Sequence, residues 1–230
     1  MTATALLPHV VAGDGERSEE CESLIKSRKR VKAHGEVFTP AHMVNRMLDL
    51  VSEELETGPD FVDATFLEPA AGDGNFLVAI LGRKLAAVET RLTSQVWERE
   101  SLFALASIYG IELLEDNHAD AQATMLDLFL AWHKEHGTSV SERTNLYRAA
   151  KFLIATNIRR GDTVNGKEPD GSEIEFSWWR RTPGNLVIRE PFTFNSLRPR
   201  VHAVDLFAAL DEPAVYAPCR IDRVFAEEAQ

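Results

Sequence analysis

Thr65-Phe66-Leu67-Glu68-Pro69-Ala70-Ala71-Gly72-Asp73-Gly74-Asn75-Phe76-Leu77 sets the reading of the whole chain. A short apolar run closes on an acid, a turn of small residues follows, and an apolar pattern at helical spacing begins. Such a stretch is a strand, a glycine turn and a helix N-terminus in series. Unpaired backbone N–H groups and the positive end of the helix dipole suit that turn to a negatively charged ligand group. Gly72 and Gly74 present no Cβ, so a ligand can approach the backbone there. The G-x-G-x-x-G dinucleotide fingerprint requires a third glycine where Leu77 stands, so it is incomplete.

Working outward from this stretch, strands and helices alternate. Upstream, Pro40 suits a first helical turn with Thr39 as its N-cap. Met43, Val44, Met47, Leu48 and Val51 then recur at helical spacing, predicting a helix over about 40 to 55 that Gly58-Pro59-Asp60 breaks. Downstream of the strand at 65–68, the helix after the glycine turn runs through Phe76, Leu77, Ile80, Leu81 and Leu85. A second helix is expected over 94–107 and a second strand over 107–112, ending at Glu112. The next helix opens at Asp116 or Asn117 and stops at His136-Gly137. A short helix around 141–150 then precedes an apolar run, Phe152 to Ile158, read as a third strand closing on Arg160-Gly161-Asp162-Thr163.

This alternation predicts an α/β fold, Rossmann-like, with a parallel sheet covered by helices on both faces. The loops after successive strands then share one edge, where ligands bind. Beyond 163 the pattern changes. Asn165-Gly166 and Asp170-Gly171 mark turns around a β-hairpin, 185–194 can hold a further strand, and Pro213 and Pro218 imply an irregular tail. The expected organisation is a flexible arm over 1–21, the α/β domain over 22–210 and the tail over 211–230.

A chain of 230 residues with 44% hydrophobic and 27% charged residues is an ordinary globular protein able to bury a sizeable core. No apolar run approaches the roughly 18 residues of a membrane helix, and residues 1–11 have no basic start before their mild apolar stretch. Cys21 and Cys219 have neither metal-ligand spacing nor a disulfide framework, so a cytoplasmic location is expected. The formal charge of −11 cuts against a free-standing nucleic-acid binder. Local basic clusters exist nonetheless: Lys26, Arg28, Lys29, Arg30 and Lys32, and later Arg180, Arg181, Arg189, Arg198 and Arg200. Each is either a solvated face or a set of phosphate contacts. His133 and His136 share a helix face without further ligands, so no metal is expected. Trp178-Trp179, flanked by arginines, is a hydrophobic anchor or a stacking platform.

Three acidic strand ends, Glu68, Glu112 and Asp162, converge on the crevice. A carboxylate such as Glu112 can accept hydrogen bonds from both ribose hydroxyls, and Asp162 can accept from an exocyclic amine such as that of adenine. The set suits a nucleoside-containing ligand better than any one motif does. The interval from Gly74 to Glu112 exceeds the ~20 residues of a compact dinucleotide unit, so an extra helix must occupy that crossover.

Gly35-Glu36-Val37-Phe38-Thr39-Pro40, Phe66 to Leu77, Tyr109-Gly110-Ile111-Glu112 and Gly161-Asp162 resemble, in order, the cofactor motifs of adenine-specific DNA methyltransferases of restriction–modification systems. The resemblance covers about 35 to 163. It implies S-adenosylmethionine as cofactor, DNA as partner, and a Rossmann-like methyltransferase fold. By analogy Phe38, Thr39 and Pro40 cover the methionine end, and Ala70, Gly72 and Gly74 line it. Glu112 holds the ribose, and Asp162 with Thr163 holds the adenine. Glu68, Asp73 and Phe76 complete the implied cofactor-binding set.

The family flips an adenine from the duplex and positions its amino group with an Asn/Asp-Pro-Pro-aromatic motif after the fourth strand. No Pro-Pro-aromatic sequence occurs here. The nearest candidates are Glu190-Pro191-Phe192 and Asn195-Ser196-Leu197-Arg198-Pro199, and only about four strands are expected. Catalytic residues therefore stay unassigned. Either a partner subunit supplies the catalytic motif or target recognition, or the chain is a catalytically inactive cofactor-binding or assembly module. Methylation of RNA or protein is a third reading, and a nicotinamide oxidoreductase the least favoured.

Overall fold

The structure, a computed structural model, describes residues 26–34, 36–198 and 216–226. The proposed arm over 1–21 lies outside them. The chain divides into two compact units, Met1–Pro40 and Ala41–Gln230. In the first, helix α1 (Arg28–His34) exposes Arg28, Lys29 and Lys32, while Arg30 forms a two-point ion pair with Glu36. Phe38 is buried, and Thr39 and Pro40 are half-buried in irregular backbone.

The second unit opens with α2 (Ala41–Leu48), which buries Val44 and Leu48. The helix tightens into a 3₁₀ turn at Asp49–Val51 and widens into a π turn at Glu53–Thr57. It ends at Gly58, as its sequence implies. The change of pitch is clamped from α3 (Asn75–Arg91): Arg83 pairs with Asp49 and Glu56, and Arg91 donates to the carbonyls of Glu56 and Gly58.

Strands β1 (Phe66–Glu68), β2 (Ile108–Glu112) and β3 (Ile158–Arg160) form a parallel sheet in that order. Phe66 lies opposite Ile108, and Gly110 opposite Ile158. The crossover from β1 to β2 carries α3 and α4 (Trp97–Ala106), which supplies the extra helix that the long interval requires. From β2 to β3 the chain forms α5 (Glu115–Glu135) and α6 (Asn145–Asn157). The protein is thus mixed α/β, compatible with a Rossmann-like arrangement.

Two expectations are corrected. Phe152 to Asn157 is not strand but the last turns of α6, and β3 begins only at Ile158. Leu146, Ala149, Ala150, Leu153 and Ile154 are buried at helical spacing, and Thr144 caps the helix by accepting the N–H of Tyr147. The buried stripe and its cap override the local β-like composition. Nor, among the described residues, does the sheet have helices on both faces. One face packs on α3, where Leu77 lies against Gly110. The other, bearing Tyr109 and Ile111, is covered by Ile174, Phe176 and Phe194.

That cover belongs to a second, antiparallel sheet of β4 (Glu175–Thr182), β5 (Leu186–Thr193) and β6 (Cys219–Arg220), ordered β4-β5-β6. The further strand expected over 185–194 is therefore β5. The Asn165-Gly166 and Asp170-Gly171 turns carry only isolated bridges at Lys167, and the long hairpin turns instead through Gly184 and Asn185, both at positive φ. Alternation separates the tryptophans: Trp178 faces Tyr109 and Phe192, whereas Trp179 enters the main core and donates to Asn157 Oδ1. Both are anchors. The described part of the expected irregular tail, 216–226, is also structured. β6 pairs with β5, and the 3₁₀ segment Ile221–Ala226 sends Ile221 and Val224 into the main core.

The approach to β1 is fixed by Lys84, fully buried on α3. Its Nζ reaches the carbonyl oxygens of Phe61, Val62 and Ala64 at 2.9, 3.0 and 2.6 Å and Ser107 Oγ at 2.7 Å. Burial pushes its pKa down to about 7, and the charge of Asp63 opposes that shift. Among the described residues no helix is long and apolar enough to cross a membrane.

Candidate functional site

Parallel pairing of β1, β2 and β3 sets the loops that follow them side by side. After β1, Gly72 and Gly74 adopt φ of 57° and 99°, a region that side chains rarely enter. The two glycines serve different ends. Gly72 donates its N–H to Glu112 Oε2 at 2.8 Å, joining the glycine loop to the end of β2. At Gly74 a Cβ would lie 3.0 Å from Ala121 Cα, so this glycine allows the start of α3 to approach α5. Gly74 caps α3 without a side-chain bond, and no acid occupies the first turn, although Asp73 stands one residue ahead of the cap.

Glu112 is buried, and its other oxygen accepts the N–H of Leu114 at 2.9 Å. Each carboxylate oxygen retains a second lone pair for a hydroxyl donor. Glu68, half-buried at the end of β1, accepts the N–H of the exposed Ala70 at 3.0 Å. Asp73 is half-buried just ahead of α3, and Phe76, half-buried within it, packs against the main core.

The loop after β3 is built by Asp162. Its Oδ1 accepts the N–H of Val164 and its Oδ2 the amide of Asn165, at 2.8 and 2.9 Å. Asp162 therefore anchors a turn, and its lone pairs are only partly used. Thr163 directs its hydroxyl to Pro69 O at 2.5 Å, so it ties this loop to the glycine loop. Thus Glu68, Ala70, Gly72, Asp73, Gly74, Glu112, Asp162 and Thr163 gather along one edge. Phe38, Thr39 and Pro40 belong to the first unit.

Three further residues shape this edge. Leu113 and Val164 directly follow the acidic ends of β2 and the β3 loop and are 50% and 86% exposed. An apolar residue soon after each strand-end acid is the sequence signal that marks them. Arg198 donates to the carbonyls of Thr163 and Val164, holding the β3 loop in place; nothing in its sequence context marks that role. Carboxylates, open aliphatic side chains and a helix start provide the chemistry for a nucleoside: acceptors for hydroxyls and an amine, and apolar flanks for a ring.

No family model matches the chain, and no curated protein or solved structure is significantly similar to it. The site stands on its own geometry.

Of the late arginines, Arg200 lies outside the described residues, and the others bond within the chain. Arg180 pairs with Glu190, Arg181 bridges Asp63 and Glu100, and Arg189 donates to Ser177 Oγ. Glu190-Pro191-Phe192 lies within antiparallel β5, with Phe192 stacked on Trp178 at 4.3 Å. Asn195 donates its amide to Glu173 at 2.8 Å. A cleft of about 750 Å³ opens elsewhere, between the starts of α4 and α6 and the β4–β5 turn. Its Arg220 and Asp222 pair with each other, and Arg99 pairs with Glu100. Among the described residues no three His, Cys, Asp or Glu side chains form a metal-holding group.

Proposed function

We propose that the edge beyond β1, β2 and β3 binds S-adenosylmethionine, and that the chain serves methylation of the adenine amino group in DNA within a restriction–modification or phage-defence system. The observation that carries this reading is the joining of the glycine loop to Glu112 through the Gly72 N–H, beside the Asp162 turn. When bound, the cofactor supplies an electrophilic methyl group on a sulfonium centre. The chain's own residues bind and orient: Glu112 accepts ribose hydroxyls, Asp162 accepts the adenine amine, and Leu113 and Val164 flank the ring. Exposed Arg28, Lys29 and Lys32 on α1 offer phosphate contacts in the first unit.

A second reading is a catalytically inactive cofactor-binding or assembly module that lacks the Asn-Pro-Pro-aromatic motif. It is favoured by the engagement of both candidate motifs in the antiparallel sheet and its 3₁₀ turn. Calorimetry with S-adenosylmethionine tests the shared premise: Asp162→Ala and Gly72→Leu should abolish binding while the fold survives, and unchanged affinity refutes the site. Labelled methyl transfer to duplex DNA then separates the readings. Binding without transfer excludes catalysis by this chain alone.

A further inference from the structure

We infer that the outer face of α6, with the 3₁₀ segment Ile221–Ala226 beside it, docks the phosphate backbone of duplex DNA. The partner rests on the DNA half of the proposed function, whereas the surface belongs to neither the cofactor edge nor α1. α6 carries no acid in its 13 residues, in a chain holding 36. Its buried stripe from Leu146 to Ile154 leaves Arg148 and Lys151 exposed, one turn apart. Arg223 is exposed on the 3₁₀ segment, and Arg189 of β5 is half-buried.

Aromatic rings gather these cations. The Arg148 guanidinium lies 3.8 Å from the centre of the Phe225 ring, which joins α6 to the 3₁₀ segment. That of Arg189 lies 4.7 Å from the Tyr216 ring and 5.5 Å from the ring of Phe152 on α6. A ring holds a guanidinium by its flat face and leaves the N–H donors, which lie in the guanidinium plane, for other acceptors. Arg189 directs one of them to Ser177 Oγ. Among the described residues no carboxylate pairs with Arg148, Lys151, Arg189 or Arg223. Arg83, Arg159, Arg180, Arg181 and Arg220, by contrast, all hold acids. Asp222, next to Arg223 in sequence, is the acid that Arg220 holds.

Chemistry identifies the occupant. Planar guanidinium forks match phosphate oxygens at two points. Phe152, Tyr216 and Phe225 are half-buried with a guanidinium on one face, so they offer little to a stacking base and the contact is to the backbone. A duplex presents one charge per about 1.7 Å, whereas an extended acidic peptide reaches at best one per about 3.4 Å. An anionic membrane surface is bound with the help of inserted apolar side chains, and none of the exposed large hydrophobic residues lies on α6 or in 216–226. A second copy packed two-fold on this face would set arginine against arginine. The net charge of −11 does not oppose a local contact of this kind, since the nearby charges dominate it.

The test titrates the full chain into a short fluorescein-labelled duplex without S-adenosylmethionine and reads anisotropy across a salt series. Four phosphate contacts predict a log–log salt slope of roughly −3 to −4. Lys151→Gln and Arg223→Gln should each flatten that slope by about 1 and weaken binding about three- to tenfold at about 0.1 M salt. Both side chains are exposed, so urea midpoints should match the parent chain. Absence of binding, parental slopes in both variants, or loss of binding confined to Lys29→Gln and Lys32→Gln on α1 would each overturn the inference, the last by assigning the phosphate contacts to α1. Tighter binding of phosphatidylserine vesicles or of poly-glutamate than of the duplex would also overturn it, by identifying a membrane or an acidic protein as the occupant. The titration contains no cofactor, so calorimetry with S-adenosylmethionine on the same sample keeps failure of the cofactor reading separate.

Discussion

The Gly72 N–H meets Glu112 Oε2 at 2.8 Å across 40 residues of sequence, so one carboxylate both fixes the glycine loop and stands at the end of β2. Its second oxygen takes the N–H of Leu114. A carboxamide in its place can accept at one end only, and its amine end would oppose a backbone N–H. Glu112→Gln should therefore loosen the loop, lowering stability by roughly 1–3 kcal/mol as charge-assisted bonds are lost. On the proposed reading it also weakens S-adenosylmethionine binding. Urea unfolding and calorimetry on the same preparation read the two effects.

Gly74 and Gly137 separate packing from conformation. Both have positive φ, at 99° and 78°, but only Gly74 would drive a Cβ into Ala121, while nothing lies within 4 Å of the position at Gly137. Gly137→Ala should cost about 1 kcal/mol, from backbone strain alone. Gly74→Ala should cost roughly 2–3 kcal/mol, because α5 must also shift. Equal losses in urea midpoints would mean that the α3–α5 approach at Gly74 is not constraining.

Burial pushes the pKa of His133 down to about 4 from its ordinary 6.5, and nearby His136 lowers it further. Its Nε2 lies 2.9 Å from Ser101 Oγ in the core. The folded state binds this proton less readily than the unfolded chain. The stabilising contribution is full above pH 6.5 and is lost as pH falls towards about 4, by roughly 3 kcal/mol at most. His136 opposes this trend: the Trp132 carbonyl, with help from Glu89, raises its pKa, so its own contribution grows as pH falls. Urea midpoints from pH 7 to 4 should decline, and the decline should flatten in His133→Leu.

Lys84 gathers the segment that leads into β1. Lys84→Met fills the space but leaves the carbonyls of Phe61, Val62 and Ala64 without their donor. Removing one side of a buried polar arrangement costs more than the arrangement contributes net, and a loss of about 3 kcal/mol or more is expected. Faster amide exchange over 61–68 than elsewhere would localise the effect to the entry of β1.

Much of this architecture is written in local pattern. The strand ends Glu68 and Glu112, the glycine turn and the helices after them are each signalled by neighbouring residues, and the structure has them where the sequence implies. The failures have a common origin in long-range partners. Phe152 to Asn157 reads as strand until its predecessors Leu146 to Ala150 are seen to share one buried helical stripe. Trp178 and Trp179 look like one platform, yet strand alternation sends them to different cores. Arg180 and Arg181 suggest a basic face, but Glu190 lies ten residues away and Asp63 and Glu100 much further. Pairing of that kind leaves no trace in spacing. At the candidate site, the acids were legible, whereas the grip of Arg198 on the β3 loop was not.

Leu113 and Val164 offer the sharpest separation of binding from folding. At 50% and 86% exposure they contribute little to the core, and exposed substitutions usually change stability within about 0.5 kcal/mol. Leu113→Ser and Val164→Asp should therefore leave the urea midpoint close to that of the parent chain. If the two side chains flank the ring of a bound nucleoside, each substitution removes apolar contact, and the aspartate adds a charge beside Asp162. Affinity for S-adenosylmethionine should fall about three- to tenfold for Leu113→Ser, the worth of roughly 1 kcal/mol of apolar burial, and further for Val164→Asp. Calorimetry showing parental affinity in both would remove the ring from this edge, whatever Glu112 and Asp162 then bind.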